Sequence, residues 1–328
     1  MIAGTAAKWA TLRGEQRWPW AIVDEAYQMR SDMLLRVAGR FDAGLFVGDP
    51  GQLDPFSAVE TGRWLGLTWD PTQSAVPVLL RHNPDLPVHQ LPVSWRLPPA
   101  AATVVAGAFY PFEPFQAGTA PGQRRLELTT AGFAGGPADE AIELAAGTGW
   151  ALYELPARHT LRTDAEAVTA CAALAARVLE RGVVACCEQA PDGAAVTAER
   201  IAIGTAHRDQ ARAVRQALQA LRPGLDGITV DTANRLQGRE FDLVIVLHPL
   251  SGRRDATAFH LEAGRLCVLT SRHRHACIVV ARAGIPELLD AHPATEPVHL
   301  NVPAKFPDGW EANHAVLAHL RQWRVRAL

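Results

Sequence analysis

Apolar positions along the chain fall into short runs separated by polar stretches. In the first ninety residues "WPWAIVDEA" predicts a strand, "SDMLLRVAGRF" a short helix capped by Ser31 or Asp32, and "AGLFVGDPGQ" a second strand. Each strand ends in acidic or glycine-rich residues, the pattern of a parallel α/β sheet with ligands at the strands' carboxyl ends. Prolines crowd in after "TWDPTQ", where only "AAATVVAGAFY" keeps helical spacing. Residues from about 111 to 160 are rich in Gly, Ala and Pro and weakly patterned, and are expected to form a loop-rich, partly disordered insertion.

Periodicity returns in "TDAEAVTACAALAARVLERG", a helix capped by Thr163 or Asp164 and stopped by Gly182. A strand and helix follow in "RIAIGTAHRDQARAVRQALQALRPG". "GITVDTANRLQGREFDLVIVLHPL" predicts strand, polar loop, strand, and "GRLCVLTSRHRHACIVVAR" a helix and a strand. These make a second α/β unit, closed by a helix in "WEANHAVLAHLRQWRV".

A length of 328 residues fits about two domains, and 48% apolar content supplies their cores. The net charge of −2 does not announce nucleic-acid binding. Only Lys8 and Lys305 are lysines, so nearly all basic groups are arginines, which suit bidentate phosphate contacts. Cys171, Cys186, Cys187, Cys267 and Cys277 form no C-x-x-C pair, the usage of reduced thiols in a cytoplasmic protein. "MIAGTAAKWATLRGE" has no signal-peptide pattern, and no apolar run is long enough to span a membrane.

Candidate chemistry starts at Asp24 and Glu25, adjacent carboxylates at a predicted strand end. One can hold magnesium and the other can take a proton from an attacking water. "GDPGQLDP" ends the next predicted strand, and taken alone it is good turn chemistry. Neighbouring strands would aim Asp24, Glu25 and Gln52 at one crevice. Three further stretches follow. "VSWRLPP" sets Trp95 beside Arg96, "VDTANRLQGREFDLVIV" places Gln237, Gly238 and Glu240 between strands, and "RLCVLTSRHRHACIVV" puts Ser271, Arg272 and Arg274 just before a strand.

Together, from about Ile2 to Val280, these stretches resemble motifs II to VI of superfamily 1 helicases, in the regulator-of-nonsense-transcripts-like and Dna-two-like branch. The resemblance implies RecA-like parallel sheets flanked by helices. It divides the chain into a partial first domain, 1–92, and a second, 93–328, with ATP and magnesium between them. Asp24 would hold magnesium, Glu25 would activate water, and Gln52 would couple the γ-phosphate to the strand site. Trp95 stands where the family has a stacking tyrosine. Arg96 and Arg272 would reach the γ-phosphate, with Arg274 beside them. Gly238 would allow close approach to phosphate, and Glu240 would bind the ribose. "GTAHRDQ" resembles a segment that touches single-stranded DNA or RNA through Thr205 and His207, and Thr232 would do the same. Cys267 and Ser271 replace the family's asparagine and threonine. The resemblance also implies 5′-to-3′ movement. His273 and His275 alternate with arginines and lack acidic or cysteine partners, so they are not expected to bind metal.

One part is missing. A phosphate loop needs G-x-x-x-x-G-K-[ST], and this sequence contains no Gly-Lys pair. "MIAGTAAKWATL" resembles the family's strand just before motif II, so the chain is expected to start inside the first domain. It would be a carboxyl-terminal piece, one half of a split enzyme whose partner supplies the loop, or a non-hydrolysing binding module. An incomplete first domain is expected to leave apolar surface bare, and with it poor solubility, self-association or a partner.

Overall fold

The computed structural model describes residues 1–55, 62–64, 67, 70–129, 135–293 and 307–327. It divides into two compact units, Met1–His89 and Gln90–Thr295 with Pro307–Leu328. Lys305 lies outside the described residues.

The first unit begins with α1 (Ala6–Ala10), where a strand was expected. The Thr5 hydroxyl accepts from the Lys8 amide at 3.2 Å, and a capped alanine-rich turn favours helix. β1 (Trp18–Val23) follows, then α2 (Ser31–Ala38). The N-cap of α2 is Arg30, not Ser31 or Asp32. Ser31 instead donates its hydroxyl to the Asp70 carbonyl, and Asp32 receives the Arg30 guanidinium. β2 (Phe41–Phe46) lies parallel to β1, with Val23 opposite Phe46. α3 (Ala75–His82) carries Pro77 in its first turn, a place where proline is tolerated but hides the helix from pattern reading.

Leu34, Val37 and Ala75 form a small core, with Trp9, Phe41, Phe46 and Leu79 packed on it. Trp20 and Ile22 alternate on the other face of β1, 68% and 70% exposed, and exposed Leu45 pairs in register with Ile22. Parallel sheets are normally covered on both faces. Among the described residues one face of the pair is left exposed.

In the second unit β3 (Val93–Ser94) pairs with β4 (Gln116–Ala117), and α4 (Pro99–Phe109) lies between them in sequence. Next come β5 (Arg125–Leu128), α5 (Pro137–Thr148), β6 (Trp150–Leu155) and α6 (Ala165–Glu180). β7 (Val183–Cys187) pairs antiparallel with β5 and with β8 (Ala190–Ala195). Then follow β9 (Ile201–Thr205), α7 (Arg208–Leu221), β10 (Thr229–Thr232), α8 (Ala233–Leu236) and β11 (Phe241–Leu247). The rest is α9 (Ala258–Leu261), α10 (Ala263–Thr270), β12 (His273–Arg282), α11 (Ile285–Ala291), α12 (Gly309–Leu320) and β13 (Arg324–Arg326).

Among the described residues six strands form one parallel sheet in the order β10-β9-β11-β12-β6-β13, flanked by helices. The α/β class is as the sequence implied. The stretch at 111–160 is not the expected loop-rich insertion, because it holds β5, α5 and β6, and β6 is an inner strand. α5 escapes notice because its buried stripe is Ala141, Ile142 and Ala145, where small residues give little periodic contrast. The closing helix α12 is followed by β13, whose single buried residue, Val325, is too faint a strand signal to read.

Burial on both faces explains the runs "FDLVIVL" and "ACIVVA" in β11 and β12. Buried ion pairs tie helices to the sheet and to each other. Arg282, at the end of β12, donates to both carboxylate oxygens of Asp164, the N-cap of α6, at 2.5 and 3.0 Å. Asp139 on α5 receives Arg177 and buried Arg181 at 2.8 and 2.9 Å. The five cysteines are free and buried, and burial pushes the Cys171 thiol up to about 12. Among the described residues no helix is long and apolar enough to cross a membrane.

Burial favours the neutral form of five histidines among the described residues of this unit, His319 among them. Burial pushes His248, His260 and His207 down to about 4, and His273 to about 3. The unfolded chain binds these protons near pH 6.5. Stability is therefore full above that value and is lost as pH falls through the window from 6.5 towards 4. His248 and His273, fully buried, each contribute up to about 1.4 kcal/mol per pH unit. Asp139 and Asp164 are held below the usual carboxylate range, so their share is lost only below about pH 4. The urea midpoint followed by circular dichroism should fall steadily from pH 7 to pH 4.5. A flat profile would refute buried neutral histidines.

Candidate functional site

In the first unit the parallel register of β1 and β2 sets the geometry. Val47 N–H donates to the Val23 carbonyl at 2.9 Å and Ala26 N–H to the Val47 carbonyl at 2.8 Å, so both carboxyl ends lie side by side. Asp24 and Glu25 leave one, and the Gly48–Gln52 turn leaves the other. A Cβ on Gly48 would sit 3.0 Å from the Ala26 amide and from the Tyr27 ring, so glycine permits this approach. Glu25 has φ +51°, and among the described residues no other non-glycine has positive φ. Left-handed backbone costs a side-chain-bearing residue about 1–2 kcal/mol, and such strain gathers at functional sites.

Asp24 Oδ1 accepts from the Glu25 amide at 3.0 Å, and the Gln28 amide donates to Glu25 Oε2 at 3.1 Å. Gln52 donates its amide to Asp49 Oδ2 at 2.7 Å, while its Oε1 is buried without a hydrogen bond. Asp49 also takes the Gly51 amide, so it braces the turn. Magnesium binds one or two carboxylates and otherwise keeps water and phosphate oxygens, and the exposed carboxylate of Asp24 fits that demand. Among the described residues no group of three or more His, Cys, Asp or Glu could hold a metal alone. Lys8 lies in α1 and not in a glycine loop.

In the second unit the candidate nucleotide residues gather at the amino ends of β11 and β12, where Phe241 pairs with His273. Gly238 and Glu240 precede β11, and Arg272 precedes β12. Gly238 has φ +74° and open space where a Cβ would be, so its backbone conformation favours glycine. Glu240 faces Arg274 at 3.6 Å, so these two are partners of each other. Arg96 Nε donates to the Ser271 carbonyl at 2.8 Å, and Arg272 donates to the Ser271 hydroxyl at 2.9 Å. Both arginines therefore meet at Ser271. Arg272 is 1% exposed, whereas Trp95 is 69% exposed with its ring over Gly118, where a Cβ would lie 2.7 Å away.

The candidate strand residues lie at the opposite, carboxyl edge. Thr205 and Thr232 are register partners at the ends of β9 and β10. The Thr205 hydroxyl is buried and donates to the His207 carbonyl at 3.0 Å, which shapes the turn into α7. His207 Nε2 lies 3.0 Å from His260 Nε2, a distance that admits one shared proton, and its ring stacks on Phe259. His273 and His275 are structural. His273 packs edge-on against Trp150, and His275 contacts Asp242 at 3.2 Å and the Cys186 carbonyl at 2.9 Å. Sequence reasoning missed Gly48, Asp49 and the His207–His260 pair. The Gly-Asp-Pro-Gly turn signalled the first two, but nothing local joins His207 to a histidine in α9.

Residues 150–284 match the family model of an AAA domain. No curated protein matches the sequence. Among solved structures, the PRRSV helicase matches with 15% identity and a TM-score of 0.38, over 79% of this chain and 34% of that one. Arterivirus nonstructural protein 10 (helicase) matches with 14% identity and a TM-score of 0.38, over 83% and 40%. The complex of that arterivirus protein with DNA matches with 13% identity and a TM-score of 0.35, over 82% and 40%. The chain thus spans well under half the length of the helicases it is compared with.

The strained backbone at Glu25 gives a direct test. Glu25→Gly should leave the stability of Met1–His89 unchanged or raise it by up to about 1 kcal/mol, and Glu25→Val should lower it by about 1–2 kcal/mol. Hydrogen exchange of the β1 and β2 amides in the whole chain reads this unit. Equal effects of the two variants would rule out the left-handed conformation.

Proposed function

We propose that this chain is the carboxyl-terminal motor portion of a superfamily 1 helicase or translocase, of the regulator-of-nonsense-transcripts-like and Dna-two-like branch. It would act on single-stranded DNA or RNA in the cytoplasm, with ATP and magnesium. The observation that carries this reading is the side-by-side ending of β1 and β2, which sets the Asp24–Glu25 pair beside the turn that holds Gln52. The AAA-domain match over 150–284, which contains the Gly238–Glu240 loop and Arg272–Arg274, supports it.

Each residue has a role in this reading. Asp24 holds magnesium, Glu25 takes the proton of the attacking water, and Gln52 senses the terminal phosphate. Trp95 offers its exposed ring to the base, Gly238 shapes the loop, and Glu240 with Arg274 faces the ribose and phosphates. Arg96 and Arg272 neutralise charge that develops in phosphoryl transfer. Thr205, His207 and Thr232 line the strand path. Bound ATP would supply the phosphoryl group. The cradle for its phosphates must come from a further segment or a second chain, and the bare face of Trp20, Ile22 and Leu45 is apolar surface suited to receive it. The lack of a Gly-Lys pair favours one alternative, a binding module that holds a strand without hydrolysis.

The test is to supply a polypeptide carrying G-x-x-x-x-G-K-[ST], fused upstream or mixed, and to measure strand-stimulated ATP hydrolysis. Glu25→Gln should cut turnover by about 10²–10⁴-fold and keep nucleotide binding. Arg272→Ala should cut it by about 10³–10⁵-fold. Salt-dependent strand binding without hydrolysis would establish the binding module instead.

A further inference from the structure

At the carboxyl edge of the six-stranded sheet, beside His207, lies a basic cavity that the motifs leave unassigned. It has a volume of about 510 Å³ and is lined by two loops, His159–Arg162 after β6 and Arg253–Asp255 after β11. The loops are built against each other. Thr160 N–H donates to the Gly252 carbonyl at 2.9 Å, and His159 Nδ1 lies 3.2 Å from the Arg253 carbonyl. Gly252 has φ +68°, and a Cβ there would lie 2.4 Å from the Thr160 hydroxyl, so only glycine lets the loops close. The side chain of Gln210, in the first turn of α7, donates to the Arg162 carbonyl at 2.9 Å, which fastens the cavity beside His207.

Its charge is mainly arginine. Arg162 is mostly exposed, with its nearest acid, Asp209, at 3.7 Å. Arg253 leans on Asp255 at 3.1 Å and Arg158 on Glu166 at 3.4 Å. Arg254 is exposed and forms no ion pair among the described residues. Leu161, 87% exposed, lines the same cavity as an apolar side chain in open water. Arg162 and Arg253 also act on His207, adding to the burial that keeps its ring neutral.

We propose that this cavity is a phosphodiester subsite, in which Arg254 and Arg162 hold successive backbone phosphates of a single strand and Leu161 covers the sugar or base between them. It rests on the reading of this chain as a single-strand binder and lengthens the path that starts at Thr232 and Thr205. Arginine charge beside an apolar contact, with no array of base-reading groups, suits sequence-tolerant binding. Each phosphate held by an arginine releases about 0.7 of a counterion from a single strand, so binding here must depend on salt.

The experiment is fluorescence-anisotropy titration of a labelled oligothymidylate against the whole chain over a range of salt. Its variants are Arg254→Ala, Arg162→Ala, the pair together, Arg254→Lys, and Arg321→Ala as a control in a separate cavity at this edge. Each alanine at 254 or 162 should weaken binding about 3- to 10-fold and reduce the salt slope by about 0.7–1. Arg254→Lys should keep the slope, and Arg321→Ala should change neither quantity. Wild-type chain that fails to bind would overturn the single-strand reading itself. Wild-type binding with an unchanged slope in the Arg162/Arg254 double variant would overturn the subsite alone. If the double variant loses only a mononucleotide, the cavity serves a free nucleotide, which also overturns the strand subsite. Melting temperatures matching wild type exclude a folding defect.

Discussion

The parallel pairing of β11 with β12 is the constraint that both candidate edges of the second unit depend on. The strands are joined from Phe241 opposite His273 to Leu247 opposite Val280 and are buried on both faces. A slip of one residue would turn every side chain to the wrong layer, so the apolar runs fix the register strongly. Once fixed, the amino ends bring Gly238 and Glu240 next to Arg272 and Arg274. The carboxyl ends bring the Arg253 loop near the chain leaving β9. Two sets of side chains far apart in sequence thus acquire their places from one ladder of backbone hydrogen bonds.

The first unit shows the same principle with less support. Its two strands hold Asp24, Glu25 and Gln52 at one edge, but its core rests on Leu34, Val37 and Ala75. A two-stranded sheet needs further strands or helices for stability, and among the described residues helices cover one of its faces. The left-handed backbone of Glu25 draws on that small reserve. Gly48 and Asp49 reinforce it locally, one by permitting contact with the Ala26 turn and the other by tying Gly51 and Gln52.

Much of the fold was legible in the sequence, and the exceptions have physical reasons. β9, β11, β12, α6 and α7 carry long apolar runs or clear helical stripes, so their type and order could be read directly. α5 could not, since alanines bury well but contrast weakly with their neighbours. β13 joins the sheet through one buried valine, a tertiary decision that no local pattern encodes. α1 forms through the Thr5 cap where a strand was expected. For the candidate site, residue types and spacing named candidates that fall at strand ends, but hydrogen bonding lay beyond them. The Thr205 hydroxyl is spent on the His207 carbonyl, Glu240 already has Arg274, and Arg272 is buried at Ser271.

The two edges of the second unit are about 20 Å apart, since β11 has seven residues at roughly 3.3 Å each. A close-packed parallel sheet bends little over that length, so a displacement at one edge arrives at the other as movement of the whole unit. The candidate groups suit that arrangement. At the amino edge Arg96 and Arg272 meet on the single residue Ser271, so a load on one is felt by the other. At the carboxyl edge burial keeps His207 neutral down to about 4, and the cavity beside it carries Arg162, Arg253 and Arg254 with Asp255. Arginine does not titrate in water near neutrality. The charge that these arginines contribute is therefore constant across the physiological range.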